Sequence, residues 1–392
     1  MRVYNSFENR EYQPQKRRKR VLALVSDAFG AGGGIAKFNR DLLTATSASS
    51  TVSGVVAVTR TQSTPPKDLP IKLFYDTRGA GRGSHSIVSK MNYIREIFHI
   101  MRQFQQVDII ICGLISLLPI AYLASRIKRA PLWFVIHGID AWQPHRSPLV
   151  NWVARHADGV IAVSGFTKHG FHEWSDFPLE NIILLPNCYD PALYGPGEKS
   201  ASLLHRYGLQ GKTVLMTMGR LAANEQYKGF DEIMDSLPEL AKEIPNIAYL
   251  IVGDGDDKPR LQKKAEKLGV ADRVVFAGYI PEMEKADHYR LADAYVMPGR
   301  GEGFGIVYLE AMACGIPTVA SKLDGSRDAL RNGQLGFLAD PTDLKGVQQA
   351  VTQALKKEKG IPEGLAYFSV GAYRQRTFDL LNQLLASGEK MQ

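Results

Sequence analysis

Two carboxylates with seven residues between them, Glu302 and Glu310, frame the glycine-rich stretch PGRGEGFGIVYLEAMACG at 298–315. At a helical rise this interval spans about 12 Å. The carboxylate pair of a retaining glycosidase sits only about 5–5.5 Å apart. Each acid is therefore expected to hold a different part of one long ligand with hydroxyl-rich ends and a charged middle, as in sugar, diphosphate and ribose. A surface loop ahead of an ordinary exposed helix is the other reading that this stretch alone leaves open. The elements that would position the acids are legible around them. The apolar run Ala294-Tyr295-Val296-Met297 predicts a short buried strand. Gly299, Gly301, Gly303 and Gly305 follow it, and 306–313 predicts a helix ended by Gly315. A strand, a glycine loop and a helix N-terminus together form an anion site, because first-turn N–H groups lack partners and the helix dipole is positive there.

Two cations could serve the charged middle. Arg220 follows the apolar strand within 212–221, and Lys228 lies near the start of the next predicted helix, with Gly229 beside it. Such a pair can cradle a diphosphate, although a surface salt-bridge network has the same composition. His137 sits where the strand 131–140 ends, and ligands of parallel sheets gather at the carboxyl ends of strands. Gly33 and Gly34 belong to a second strand–glycine–helix unit, GAGGG at 30–34. It is not the dinucleotide fingerprint, because Ile35 stands where the third glycine belongs. A tight turn explains it equally well. Gly253 ends the strand within 248–257, ahead of the acidic turn with Asp254 and Asp256.

The setting EGFGIVYLEAMACGIPTVAS resembles the signature of the GT4 family, the retaining, nucleotide-sugar-dependent glycosyltransferases of the GT-B fold. The resemblance covers nearly the whole chain and is strongest over 212–340. It implies that Glu302 contacts the donor sugar and Glu310 the ribose hydroxyls. The backbone of Gly303, Phe304, Gly305 and Ile306 would face sugar and phosphates. By the same resemblance His137, in HGID, lies near the donor sugar, and Gly33 and Gly34 close over the cleft. Arg220 in GRL and Lys228 in E-x-x-K-G bind the diphosphate. Tyr279 and Ile280 meet the base through their backbone, though Tyr279 could simply pack, and Gly253 counts among the donor-binding residues. Ser164 and Thr167, in a VS-x-x-T turn, are expected to be structural, with Ser164 as a helix N-cap. Asp254 and Asp256 form a D-x-D, a metal-binding motif in another glycosyltransferase fold. Here the two cations already supply the counter-charge, so no metal and no cofactor are expected.

At 392 residues, 45% hydrophobic and 22% charged, the chain can form two globular domains. Apolar strands alternating with helices predict α/β architecture, two doubly wound Rossmann-like domains facing a cleft. The expected division is 1–190 for the acceptor and 191–370 for the donor. The Pro- and Gly-rich 188–200 is the linker, and the final helix, 371–392 at its fullest, packs back on the first domain. Three cysteines, Cys112, Cys188 and Cys314, each in or beside an apolar run, suit buried thiols in a reducing compartment. No apolar run reaches the ~20 residues of a membrane span. A cytoplasmic location follows, with peripheral contact at the inner membrane face as its variant.

Residues 1–190 hold 23 Lys and Arg against 14 Asp and Glu, so the whole positive surplus lies in the first half. Such a half suits a membrane surface or an acidic acceptor, or is a solvated face with no partner. KRRKR at 16–20 reads as a flexible basic lead-in and TRGAGRGSH at 77–85 as a mobile loop. In 87–106 the apolar Ile87, Met91, Ile94, Ile97, Phe98, Met101 and Phe104 recur at three- and four-residue spacing with Lys90, Arg95 and Arg102 among them, which predicts an ordinary half-buried helix, while the resemblance offers a helix lying against membrane. The partners implied are a nucleotide-sugar donor and a carbohydrate or lipid-linked carbohydrate acceptor, without nucleic acid. The reaction implied is hexose transfer with retained configuration, UDP-glucose being the first candidate donor and envelope or exported polysaccharide the setting. Three other readings are weighed. A dinucleotide oxidoreductase is disfavoured by the broken fingerprint. A phosphorylase would need pyridoxal phosphate and a lysine to hold it. A non-catalytic nucleotide-sugar-binding protein would keep Arg220 and Glu310 but need neither His137 nor Glu302.

Overall fold

The computed structural model describes residues 18–389 apart from 31, 63, 67–68 and 82–86. The basic lead-in before 18 and the tip of the 77–85 loop thus lie outside the described residues. The first sheet contains β1 (Lys19–Val25), β2 (Val52–Thr59), β3 (Leu73–Asp76), β4 (Ile109–Cys112), β5 (Leu132–Ile136), β6 (Gly159–Ala162) and β7 (Ile182–Leu184). The second contains β8 (Thr213–Met218), β9 (Ile247–Val252), β10 (Val274–Gly278), β11 (Ala294–Met297), β12 (Thr318–Ser321) and β13 (Phe337–Ala339). Every pairing between these strands is parallel. Strands so nearly free of polar residues must be covered on both faces.

The covering helices of the first unit are α1 (Gly34–Ala48), α2 (Ile87–Gln103), α3 (Leu118–Lys128), α4 (Pro148–His156) and α5 (Gly165–Ser175). Those that follow are α6 (Ala201–Tyr207), α7 (Phe230–Glu243), α8 (Lys258–Lys267), α9 (Lys285–Leu291), α10 (Ile306–Ala313), α11 (Ser326–Ala329), α12 (Leu344–Lys356) and α13 (Val370–Glu389). This is the two-domain Rossmann-like arrangement around a cleft.

Strand order decides where a ligand can sit. The first sheet runs β3-β2-β1-β4-β5-β6-β7 and the second β10-β9-β8-β11-β12-β13. Strand order reverses between β1 and β4 and between β8 and β11. Loops leaving neighbouring strands there diverge to opposite faces and open a crevice at the carboxyl ends. Arg220 follows β8 and Glu302 follows β11, so one crevice receives both.

One apolar cluster crosses from sheet to sheet, taking in Val21, Phe38, Tyr194, Met216, Phe304 and Tyr373. Helix α13 reaches the first unit through Tyr373, whose ring meets that of Phe38 edge-on at 6.2 Å. Cys112, Cys188 and Cys314 are buried free thiols. No helix among the described residues is long and apolar enough to cross a membrane.

Helix α2 corrects the sequence expectation. Its inward face carries Ser89, Tyr93, Glu96, Ile97, Ile100 and Met101, while Ile87, Met91 and Ile94 point outward with Val88. Two apolar stripes share one period here, and the covered one is that beside Glu96, which is buried with the half-exposed Arg78 2.8 Å away.

Candidate active site

The loop after β11 is drawn tight by its glycines. Gly305 is the N-cap of α10 at φ 85°, and a Cβ there would run into the Tyr308 ring. Tyr308 in turn ties its hydroxyl to the Met297 carbonyl at 2.7 Å. Phe304 is buried edge-on against Phe368, and Ile306 is buried as well. The first N–H groups of α10 have no acceptor within the helix. Because α10 begins only at Ile306, the helical rise assumed for the whole interval from Glu302 to Glu310 applies to its second half alone.

Lys228 precedes the Gly229 cap of α7 and lies between two acids, 3.5 Å from Glu225 and 3.9 Å from Glu302. Glu225 also pairs with Arg220. The two cations thus converge through Glu225, while the Arg220 side chain is 70% exposed. The loop is zipped to its neighbour, with Leu221 N–H donating to Asp254 O at 3.0 Å and Asp256 accepting from Ala223 N–H at 2.8 Å. Gly253, at φ 137°, is where a side chain would strike Gly219 O. Its glycine is needed for that close approach of two backbones. Tyr279 is 82% exposed beyond β10, so it does not simply pack, whereas Ile280 is buried.

His137 leaves β5 and is held by Gly113 O at 2.9 Å from Nε2, with Phe38 edge-on at 5.2 Å. A carbonyl can only accept, so Nε2 carries the proton. Burial lowers the imidazole pKa from its ordinary value, against the raising influence of Asp140. The neutral ring keeps its Nδ1 lone pair as an acceptor. Burial also raises the Asp140 pKa, and one of its oxygens is buried without a partner. The two sheets meet backbone to backbone here. A Cβ on Gly303 would lie 1.8 Å from His137 O, and one on Gly138 2.6 Å from Gly303 Cα. His137 and the Glu302 loop are thereby brought together.

Gly33 is the N-cap of α1 at φ 103°, and both Gly33 and Gly34 have open space where a side chain would be. Glu310 is 1% exposed and accepts from Tyr289 Oη at 2.8 Å, with Lys285 at 3.7 Å. Ser164 caps α5 by accepting from Thr167 N–H at 3.0 Å.

Sequence reasoning passed over Asp324. It is fully buried and accepts from Glu302 N–H at 2.9 Å. Burial pushes its pKa up to about 6, opposed by hydrogen bonds from Ser326 and Glu302. The only local signal was an Asp-Gly-Ser triplet, indistinguishable from an ordinary turn.

The arrangement thus offers cations and helix amides for a diphosphate, an acid and a neutral imidazole for hydroxyls, and a cleft between two domains. Two family models match the chain, "Glycosyltransferase Family 4" over residues 32–193 and "Glycosyl transferases group 1" over 206–369. The GDP-mannose-dependent α-(1-6)-phosphatidylinositol monomannoside mannosyltransferase of Mycolicibacterium smegmatis is 35% identical over 252 residues, 60% of this chain and 65% of that protein. Its namesake in Mycobacterium tuberculosis is 31% identical over 63% of this chain and 67% of that protein. The phosphatidyl-myo-inositol mannosyltransferase of M. tuberculosis is 42% identical over 49% of this chain and 48% of its own length. The chain thus spans from about half to two thirds of these relatives. Among solved structures, Anabaena HepE with UDP and glucose superposes with a TM-score of 0.71 at 21% identity, covering 93% of this chain and 100% of that one.

Proposed function

We propose, on the premise that this chain belongs to the glycosyltransferases of the GT-B fold, that it transfers a hexosyl group from a nucleoside diphosphate to an acceptor hydroxyl with retained configuration. The observation that carries this is the convergence of Arg220, Lys228, Glu302 and the α10 N-terminus at one strand-order reversal, facing His137 of the other domain. The bond from sugar C1 to the diphosphate oxygen breaks and a bond from C1 to the acceptor oxygen forms on the same face. The acceptor proton passes to the departing diphosphate. Charge developing on that group is the main barrier, and the two cations and the amides of 303–306 oppose it without a metal. Glu302 and the His137 lone pair would accept from sugar hydroxyls. Residues 191–370 bind the donor and 1–190 the acceptor, a carbohydrate or lipid-linked carbohydrate of envelope polysaccharide or glycolipid synthesis.

For the donor, GDP-mannose goes ahead of UDP-glucose, because the relatives at 31–35% identity carry GDP-mannose in their names while the structure holding UDP and glucose shares 21%. A thermal-shift series with GDP-mannose, UDP-glucose and ADP-glucose tests both levels. The true donor at 100 times its dissociation constant should stabilise by about 2.7 kcal/mol. A shift with UDP-glucose alone would reverse the order of donors, and no shift with any nucleotide sugar would end the transferase reading.

The reading includes peripheral membrane contact by the first domain. Its support is the exposed stripe Ile87, Val88, Met91 and Ile94 on α2, with Lys90 and Arg95 exposed on the same helix. The protein should sediment with vesicles containing anionic lipid, and Met91→Glu should release most of it. Equal sedimentation of variant and wild type would remove α2 from the contact.

A further inference from the structure

Both backbone polar groups of Glu302 are held by the turn after β12. Asp324 takes its N–H at 2.9 Å, and Gly325 N–H donates to its carbonyl at 2.8 Å. The second oxygen of Asp324 is occupied by Ser326, through N–H at 3.0 Å and hydroxyl at 2.6 Å. The fit admits no side chain at Gly325, where a Cβ would lie 2.0 Å from Gly303 O.

Four residues after Asp324 the same turn reaches the other domain. The Asp328 carboxylate accepts from Gly165 N–H at 3.3 Å and Phe166 N–H at 3.2 Å, the opening residues of α5. Helix α5 has no acid of its own in that turn, so Asp328 supplies the negative charge that the helix dipole favours. A second contact runs parallel. Thr167 accepts at its hydroxyl from Ser164 at 2.9 Å and Trp142 at 3.2 Å, leaving its own proton for Gly303 O at 3.5 Å.

We infer that Asp324 and Asp328 are positioning residues, joined by one turn, through which the seating of α5 on the second domain sets the placement of Glu302. The inference rests on the transferase reading for its consequence, since Glu302 matters only if a sugar meets it. Both carboxylates are engaged by protein groups, Asp324 by Glu302 and Ser326 and Asp328 by the first turn of α5. Asp328 senses that the domains are together, and Asp324 transmits this to the backbone that aims the acid. Loss of the Asp328 contact should therefore lower turnover by about 10²-fold, the scale for slight misplacement of a reacting group. The KM for the donor should stay within about threefold, because Arg220 and Lys228 are untouched.

The test combines amide hydrogen exchange on the full chain with kinetics. Asp328→Ala should speed exchange about tenfold or more in peptides covering 163–168 and also 300–306, as expected when hydrogen bonds to a charged group are removed. Asp328→Asn keeps one acceptor oxygen and should fall between, which also serves if the alanine variant does not fold. Asp324→Asn should speed exchange in 300–306 and leave 163–168 near wild type. Faster exchange in 163–168 with 300–306 unchanged would show that no coupling exists and overturn the inference. So would a fall in donor affinity as large as the fall in turnover. Exchange needs neither donor nor acceptor, so a wild-type chain that transfers no sugar would sink the transferase reading while the coupling is still decided.

Discussion

Lys228→Ala is expected to slow sugar transfer by about 10²–10³, the scale for losing one preorganised group that stabilises developing charge. The side chain is well covered and anchored between Glu225 and Glu302. It is therefore aimed before the donor arrives and spends little reorganisation when the diphosphate leaves. Arg220→Ala should act in the same direction, but Arg220 starts exposed and paired only with Glu225, so part of its effect should appear as weaker donor binding. The check is steady-state release of nucleoside diphosphate at saturating donor. Activity of Lys228→Ala within a few-fold of wild type would remove that lysine from the chemistry.

Gly303→Ala should be comparably damaging for a different reason. Its Cβ would fall 1.8 Å from His137 O and 2.8 Å from Gly138 Cα. Both are backbone atoms of the opposite domain, so no side chain can rotate away to make room. The domains must separate locally, and Glu302 moves with them. A displacement of about 1 Å at such a position costs on the order of 10²-fold in rate. Each sheet has its own packed outer face, formed by separate apolar clusters, so the variant should still fold, with little change in melting temperature. Measuring turnover and melting together decides the matter. A near-normal rate would show that the backbone contact between His137 and Gly303 does not persist during catalysis.

Much of this was legible in the chain because it depends on short-range chemistry. Every strand core lies within a run of apolar residues, since a parallel sheet covered on both faces tolerates little else. The helix at 306–313 is delimited by Gly305 and Gly315, both at positive φ, where glycine is the cheapest residue. Ser164 announces the start of α5 because a cap is satisfied within three residues. The type and spacing of Arg220, Lys228 and Glu302, with the family signature around them, pointed to a diphosphate and a sugar.

Other features depended on partners far away in sequence. The inward stripe of α2 includes the buried Glu96, which lies 2.8 Å from the half-exposed Arg78, and periodicity cannot see an ion pair across elements. Gly253 was legible as a glycine at a strand end, but not that it must admit Gly219 O to its own backbone. Asp324 looked like any turn residue until Glu302, 22 positions earlier, was found donating to it. Local sequence by itself determined the elements, their order and the chemical character of the cleft, because hydrophobic periodicity, caps and glycine torsions act over a few residues. Only the tertiary structure decided which groups hold one another in place, because a hydrogen bond or a steric limit between distant segments exists only after both are folded.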